Sequence, residues 1–226
     1  MSERPGSANS MTDARLQSRT AGYEDPLVGI LLAAGRGSRF DAMGQKNKLL
    51  ALVNGQAVAV QSAANLRAHV DQLIIVIKPD SAPLRQALSD IDALITECTD
   101  ADLGMGHSLA HGVQQARILL SPRAVVVALA DMPFVCSATM QRLVNLAGKD
   151  NRASSDVRTL IAAPRFQGQR GHPVLFGSQH FDALQASRGD TGAAQLLRAS
   201  GVHWIDVADA GVLRDIDRPA DLPQAR

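Results

Sequence analysis

Cysteine is scarce in this chain of 226 residues: Cys98 and Cys136 are the whole complement. Two thiols without CxxC spacing support neither a disulfide framework nor a zinc site, and both are expected to be ordinary, largely buried side chains. Charge of one sign is also lacking. With 23 Lys and Arg against 22 Asp and Glu, the formal net charge is +1, so nothing global draws the chain to nucleic acid or to an anionic membrane. Any phosphate chemistry must therefore be local. The longest apolar runs, residues 73–77 and 124–130, are far too short to span a bilayer, and the N-terminus shows no hydrophobic signal region. The expected location is cytoplasmic. Two familiar nucleotide motifs are missing as well. No GxxxxGK[ST] occurs, and the run from Gly35 to Phe40 carries Phe40 where a dinucleotide fingerprint needs its third Gly or Ala.

What is present is enough apolar residue, 46% of the chain, to build one sizeable core. Residues 1–26 are polar, rich in Ser, Arg and Gly and without apolar periodicity, and are expected to form a disordered tail ahead of one domain over residues 27–226. From Leu27 short apolar runs alternate with helical stretches. Residues 27–33, 72–77, 93–96 and 123–128 read as buried strands, and residues 56–68 and 106–120 as the helices between them; the second shows a face of Leu109, Val113, Ala116 and Leu120. This rhythm predicts an α/β domain with a mainly parallel sheet and crossover helices. After Asp131 the rhythm loosens: residues 137–146, 179–186 and 191–199 read as helices, 151–156 as a polar loop, and 159–163, 173–176 and 202–207 as strands. A closing segment spans residues 213–217. That half is expected to carry antiparallel additions.

Three segments carry phosphate chemistry. The first strand ends in Leu32-Ala33-Ala34-Gly35-Arg36-Gly37-Ser38-Arg39, a loop whose glycines can bare backbone amides to phosphate while arginines add charge-assisted hydrogen bonds. Its plainer alternative is a simple βα turn. Lys46 and Lys48 follow in a short basic segment, and a lysine there can neutralise charge that builds up during phosphoryl chemistry. The apolar run 124–130 ends at Asp131-Met132-Pro133, which puts a carboxylate at the carboxyl end of a central parallel strand, where open α/β sheets bind ligands. Such a carboxylate suits Mg²⁺; its plainer role is to cap the following turn.

LAAGRGSRF, Lys48-Leu49, ADMP at 130–133, GHP at 171–173 and DIDRPADL at 215–222 occur in an order that resembles the MobA-like nucleotidyltransferases, and among them the molybdenum cofactor cytidylyltransferases. The resemblance runs from about Val28 to Leu222. It implies a Rossmann-like nucleotidyltransferase domain, mainly parallel with helices on both faces and a small antiparallel addition. It also implies transfer of CMP from CTP to the phosphate of molybdopterin, with Mg²⁺ as the metal and a molybdenum hydroxylase as downstream partner. Carried over residue by residue, Leu32, Ala33, Ala34, Gly35, Gly37, Arg39 and Lys48 face the nucleotide, Arg39, Lys48 and Asp131 act in transfer, and Asp131 and Asp217 hold the metal. Ala130 stands where related sequences often have Gly, and the 39–48 connection is longer than usual. Lys46 and Lys48 both remain candidates for the phosphate lysine, with Leu49 favouring Lys48.

The resemblance also draws in Gly104, Gly106 and Ser108, at a glycine-rich helix start, as nucleotide contacts, and Arg170, Gly171, His172 and Pro173 as the place where the acceptor enters. Each segment has a purely structural alternative. His107 and His111 lie one helical turn apart but lack a third ligand, and residues 188–192 could bind acceptor phosphate or, more simply, cap the next helix through Asp190. Related guanylyl-transferring enzymes have Gly-Gly at positions 33–34; the two methyl groups here are expected to favour a pyrimidine. Two rivals remain: cytidylyl or uridylyl transfer to a sugar or polyol phosphate, and a non-catalytic factor that inserts cofactor into a molybdoenzyme.

Overall fold

The computed structural model describes residues 25–35, 37, 39–41, 47–148, 156–199 and 201–223. Three apolar runs form its centre. β1 (Leu27–Leu32) is buried at all six positions, and β4 (Gln72–Ile77) and β6 (Ala124–Leu129) flank it in parallel; only a strand covered on both faces reads as so continuous an apolar run. β5 (Leu94–Glu97) extends the sheet beyond β4, also in parallel. On the other side β9 (Val174–Gly177) runs antiparallel to β6, β7 (Ile161–Phe166) antiparallel to β9, and β10 (His203–Asp206) parallel to β7. The order is β10-β7-β9-β6-β1-β4-β5, with β8 (Gln169–Arg170) folded back on β7. The fold is the mainly parallel α/β domain that the sequence implied, with antiparallel additions in its second half.

Period-two alternation sends neighbouring strand residues into separate cores. Leu31, Leu73, Ile75 and Val126 pack on one face with Leu66 of α1 (Val58–Arg67) and Leu143 of α4 (Ser137–Asn145). Ile30, Ile74, Val125 and Val127 pack on the other with Leu109, Val113 and Ala116 of α3 (Met105–Leu120) and Leu184 of α5 (Phe181–Gln185). Helices therefore cover both faces. The chain leaves β1 toward β4 and β5, then crosses back to β6, so the strand order reverses between β1 and β6. A crevice opens beyond the carboxyl ends of the two strands.

Several local expectations need correction. Asn54-Gly55, both at positive φ, close a small ribbon of β2 (Leu52–Val53) and β3 (Gln56–Ala57), so the helix expected from residue 56 begins at Val58. The strand expected from residue 159 begins at Ile161, because Val157–Thr159 forms a 3-10 turn capped by Asp156. A short helix, α2 (Ala82–Ala87), was not read from the sequence. Gly189–Thr191 is a 3-10 turn ahead of α6 (Ala194–Ala199), in place of one continuous helix. Cys98 is buried as expected but Cys136 is exposed, since it sits at the start of α4 with its backbone N–H donating to Asp209. The expected tail, apart from Asp25 and Pro26, and residues 151–155 of the polar loop lie outside the described residues. Among the described residues no helix is long and apolar enough to cross a membrane.

Candidate active site

Asp131 follows β6 by two residues, and polar side chains of α1 hold the loop that carries it. Ser62 Oγ donates to Ala130 O at 2.9 Å, Gln61 Nε2 to Pro133 O at 3.3 Å and Asn65 Nδ2 to Val135 O at 2.6 Å. The closing segment crosses this loop: Ile216, fully buried, donates its N–H to Asp131 O at 2.9 Å. Asp215 and Asp217 flank Ile216 and so arrive together beside Asp131. Asp221 fixes the turn that follows by accepting from the N–H groups of Asp217 and Arg218, at 2.9 and 2.7 Å. Asp209 ties the start of the same segment to α4, accepting from Cys136 N at 2.8 Å, Thr139 Oγ1 at 2.7 Å and Gly211 N at 2.9 Å.

Lys48 enters from a third direction, on a 3-10 turn (Lys48–Leu50) whose preceding Asn47 accepts from Leu49 N. Only 8% of Lys48 is exposed, and its ammonium donates to Asp131 Oδ2 at 2.6 Å and to Asp217 Oδ1 at 2.7 Å. The exposed Arg39 guanidinium also pairs with Asp217. Burial pulls the Lys48 ammonium toward deprotonation, but Asp131 and Asp217 together outweigh it and leave the lysine above its ordinary range. The hydrogen bond from Lys48 holds Asp217 below the usual carboxylate range, whereas burial, reinforced by Asp217 and Asp131, pushes Asp215 up. Like charges are crowded here: one ligand oxygen each from Asp131, Asp215 and Asp217 lie within 4.8 Å of one another. Asp131 Oδ1 is buried without a hydrogen-bond partner. Asp215 was not singled out from the sequence; its only signal was the Asp-x-Asp alternation about an apolar residue.

These groups stand at one wall of a cleft of about 380 Å³ beyond the β1 and β6 carboxyl ends. Of the residues expected there, Leu32, Ala34, Gly35, Gly37, Arg39, Lys48, Gly104, Ser108, Asp131 and Asp217 line it. Ala33 and Gly106 do not. Ala33 packs its methyl with Leu31 in the core under α1, on the face opposite Ala34, so only the Ala34 methyl borders the cleft. Gly106 packs on the backbone of Arg188, which a Cβ at 106 would meet at 2.8 Å. Gly104 has φ +121° and a Cβ there would come within 2.4 Å of the Gly189 carbonyl carbon, so glycine lets the α3 start press on the 188–190 turn. That contact brings Asp190 to the cleft. Ser108 is buried beside the Cys98 thiol. Lys46 and Arg36 lie outside the described residues. His111 meets Thr96 Oγ1 at 2.8 Å and burial holds it below its ordinary value, which gives it a structural partner.

The register Val127↔Val174 sets the residues before β9 next to the carboxyl end of β6. Gly171 N donates to Pro164 O and His172 N to Val212 O, both at 2.9 Å, and the His172–Pro173 peptide is cis. None of Arg170, Gly171, His172 and Pro173 lines the main cleft. Arg170 and His172 instead border an adjoining recess that shares Leu32, Met105 and Leu129 with it. Gly171 packs against Val212, and Pro173 is buried. His172 Nδ1 is buried without a partner. Burial, helped by the Arg170 charge and opposed by Asp131, pushes the imidazole down to about 4, so it is neutral at pH 7.

Residues 29–204 match the MobA-like NTP transferase domain. The purine catabolism protein PucB of Bacillus subtilis is 29% identical over 211 residues, covering 88% of this chain and 96% of PucB. A probable molybdenum cofactor guanylyltransferase of Haloferax mediterranei is 31% identical over 117 residues, about half of each chain. Among solved structures, Rv0371c from Mycobacterium tuberculosis superposes with a TM-score of 0.72 at 23% identity, covering 88% of this chain and 96% of that one. Its complex with manganese gives 0.67 at 25% identity, covering 87% and 95%. With residues 29–204 matched and the fold shared along most of its length, the chain belongs to the MobA-like NTP transferase family of nucleotidyltransferases.

Proposed function

We propose that the chain transfers CMP from CTP to the terminal phosphate of a molybdopterin-type acceptor, releasing pyrophosphate. The observation that carries this reading is Lys48 clasped between Asp131 and Asp217, against the glycine loop of β1, at the strand-order reversal. An acceptor phosphate oxygen forms a bond to the α-phosphorus of CTP as the α–β bridge breaks. The acceptor is already anionic at neutral pH, so no base is needed to strip a proton, and the work left to the protein is positioning and charge neutralisation. Gly35 and Gly37 open the backbone to the phosphates; Arg39 and Lys48 supply positive charge at the cleft wall.

The donor set fits Mg²⁺: three carboxylates offer hard oxygen ligands, and Asp131 Oδ1 is a buried oxygen without a partner. Asp131 and Asp217, with Asp215 beside them, would hold the ion. When bound, it supplies Lewis-acid polarisation of the triphosphate. The Mycobacterium relative was crystallised with manganese, a metal of similar ligand preference.

CTP is the proposed donor because the Ala34 methyl narrows the space at the end of β1, where a larger purine would have to pass. The acceptor rests on the motif order and on the Haloferax relative named for the molybdenum cofactor. A molybdenum hydroxylase that takes up the resulting dinucleotide cofactor is the proposed partner. A non-catalytic insertion factor would not need a buried lysine held between two carboxylates. The test is a pyrophosphate-release screen with CTP and Mg²⁺ across molybdopterin, sugar phosphates and polyol phosphates. Release with molybdopterin alone supports the reading, and release with a sugar or polyol phosphate alone overturns it.

A further inference from the structure

The residues that line the main cleft fall into two groups. Gly35, Gly37, Arg39 and Lys48 bring the amides and cations suited to phosphates. Ala101, Gly104, Met105 and Ser108 bring no charge, and the Ser108 hydroxyl is already engaged with the Cys98 thiol. Asp190 joins this second group. Of the carboxylates that line the cleft, Asp131 and Asp217 are held by Lys48, whereas among the described residues no hydrogen bond or ion pair engages Asp190. The turn that carries it is shaped for that position. Gly189 and Gly192 stand on either side at φ +62° and +48°, in the left-handed region that glycine favours, and a Cβ at Gly104 would come within 2.7 Å of Asp190 Oδ1. Glycine at 104 therefore leaves room for the carboxylate at the cleft.

An ionised carboxylate only accepts hydrogen bonds and repels phosphate, so the group it meets is a donor on an uncharged part of the ligand. A nucleoside offers two kinds, the adjacent ribose hydroxyls and an exocyclic amine of the base. Asp190 is exposed, and a base gains most where side chains cover it from water, whereas ribose hydroxyls tolerate a wet rim. We infer that Asp190 accepts from the ribose hydroxyls of the bound nucleotide and makes the cleft select a ribonucleoside triphosphate over its 2′-deoxy counterpart. Its two oxygens match two neighbouring hydroxyls, and a deoxyribose leaves one oxygen without that charge-assisted bond. Dinucleotide-binding folds use an acidic residue on ribose in the same way. Phosphates held by Lys48 and Arg39 and a ribose held by Asp190 fix the nucleotide at two points, which limits where its α-phosphorus can lie. Asp190 is in this sense a specificity-determining residue, and the inference rests on the proposed reading in that a nucleoside triphosphate fills this cleft.

The test is calorimetric binding of CTP and dCTP to the full chain with Mg²⁺ and without acceptor. Wild type is expected to hold CTP about tenfold more tightly than dCTP. Asp190→Ala should bring the two within about twofold by weakening CTP alone, and Asp190→Asn, which keeps one acceptor oxygen, should fall between. Melting temperatures close to wild type, expected of an exposed side chain, separate loss of the contact from loss of the fold. Should Asp190→Ala not fold, Asp190→Asn carries the comparison. GTP and dGTP form a parallel pair, so that the choice of base and the reading of the sugar fail separately. UTP supplies the other arm: if Asp190→Ala abolishes a preference for CTP over UTP and keeps that for CTP over dCTP, the carboxylate reads the cytosine amine and the ribose contact is overturned. Equal binding of ribo and deoxy forms by wild type, or the same ratio in wild type and Asp190→Ala, overturns it as well. An Asp190-dependent preference for the ribonucleotide without pyrophosphate release from CTP and molybdopterin would instead sink the transfer reaction and leave the ribose contact standing.

Discussion

The two sides of the β6 carboxyl end are built from opposite materials. Toward β1 stand Lys48, Arg39, Asp131, Asp215 and Asp217, a charged cluster assembled from three segments far apart in sequence. Toward β9 stand Leu129, Val174 and Phe176 with one neutral imidazole among them. The first side can neutralise a triphosphate but reads little of a substrate's shape. The second is mostly apolar, with Arg170 its one charged neighbour among the residues that border the recess. The contrast teaches that a charged wall and an apolar wall can be set on the two sides of a single strand, and substitutions on the two sides should have separable effects.

The largest effect belongs to Asp131. Asp131→Asn keeps the shape but gives up an anionic oxygen ligand, and kcat is expected to fall by roughly a hundredfold or more, about 3 kcal/mol of transition-state stabilisation. Steady-state pyrophosphate release at saturating Mg²⁺ checks it, and a rate near wild type would remove the charged side from the account. Lys48→Ala comes next, with the loss of contacts worth about 1.5–3 kcal/mol in kcat/KM. It also leaves three carboxylates facing one another, so melting temperature should drop without divalent ions and recover when Mg²⁺ is added. A melting temperature indifferent to Mg²⁺ in that variant would argue against a cation among these carboxylates.

On the apolar side the handle is pH. His172 is pushed down to about 4 in the folded chain, against about 6.5 when unfolded, so the unfolded state takes up a proton first as pH falls. Its contribution to stability is intact above pH 6.5 and is lost between 6.5 and about 4, amounting to about 2 kcal/mol by pH 5. Denaturant titrations at pH 7 and pH 5 should show this loss in wild type and a smaller one in His172→Asn; equal losses would mean that other groups govern the slope. The smallest expected effect is nucleotide choice. Ala34→Gly removes the one methyl of the Ala-Ala pair that borders the cleft, and should shift the CTP/GTP ratio of kcat/KM toward GTP by about fivefold, near 1 kcal/mol. Ala33→Gly should leave that ratio alone, since its methyl packs in the core under α1.

Much of this architecture is legible in the chain itself. β1, β4 and β6 stand out because strands buried on both faces must be apolar throughout, and α3 because its inward face repeats at helical spacing. The position of Asp131 follows from where β6 ends. Asp215 does not, because nothing local says that Ile216 will bond to the backbone of Asp131 and deliver both of its neighbours there. The opposite facing of Ala33 and Ala34 was open to the alternation rule, which puts Ala33 with Leu31 and away from the cleft. Cys136 fails as a buried thiol for a reason remote in sequence: Asp209 draws its backbone to the exposed start of α4. The recess was hidden most fully, since it needs β9 to lie beside β6 and α6 to close over both.

The central claim, one cleft in which Asp131 and Lys48 promote transfer of CMP to a molybdopterin phosphate, is tested most directly by the mass of the product. Purified chain incubated with CTP, Mg²⁺ and molybdopterin should yield molybdopterin enlarged by one CMP, matched mole for mole by pyrophosphate and absent with Asp131→Asn. Unchanged molybdopterin from the wild-type chain under those conditions, or an enlargement that persists in Asp131→Asn, would contradict it.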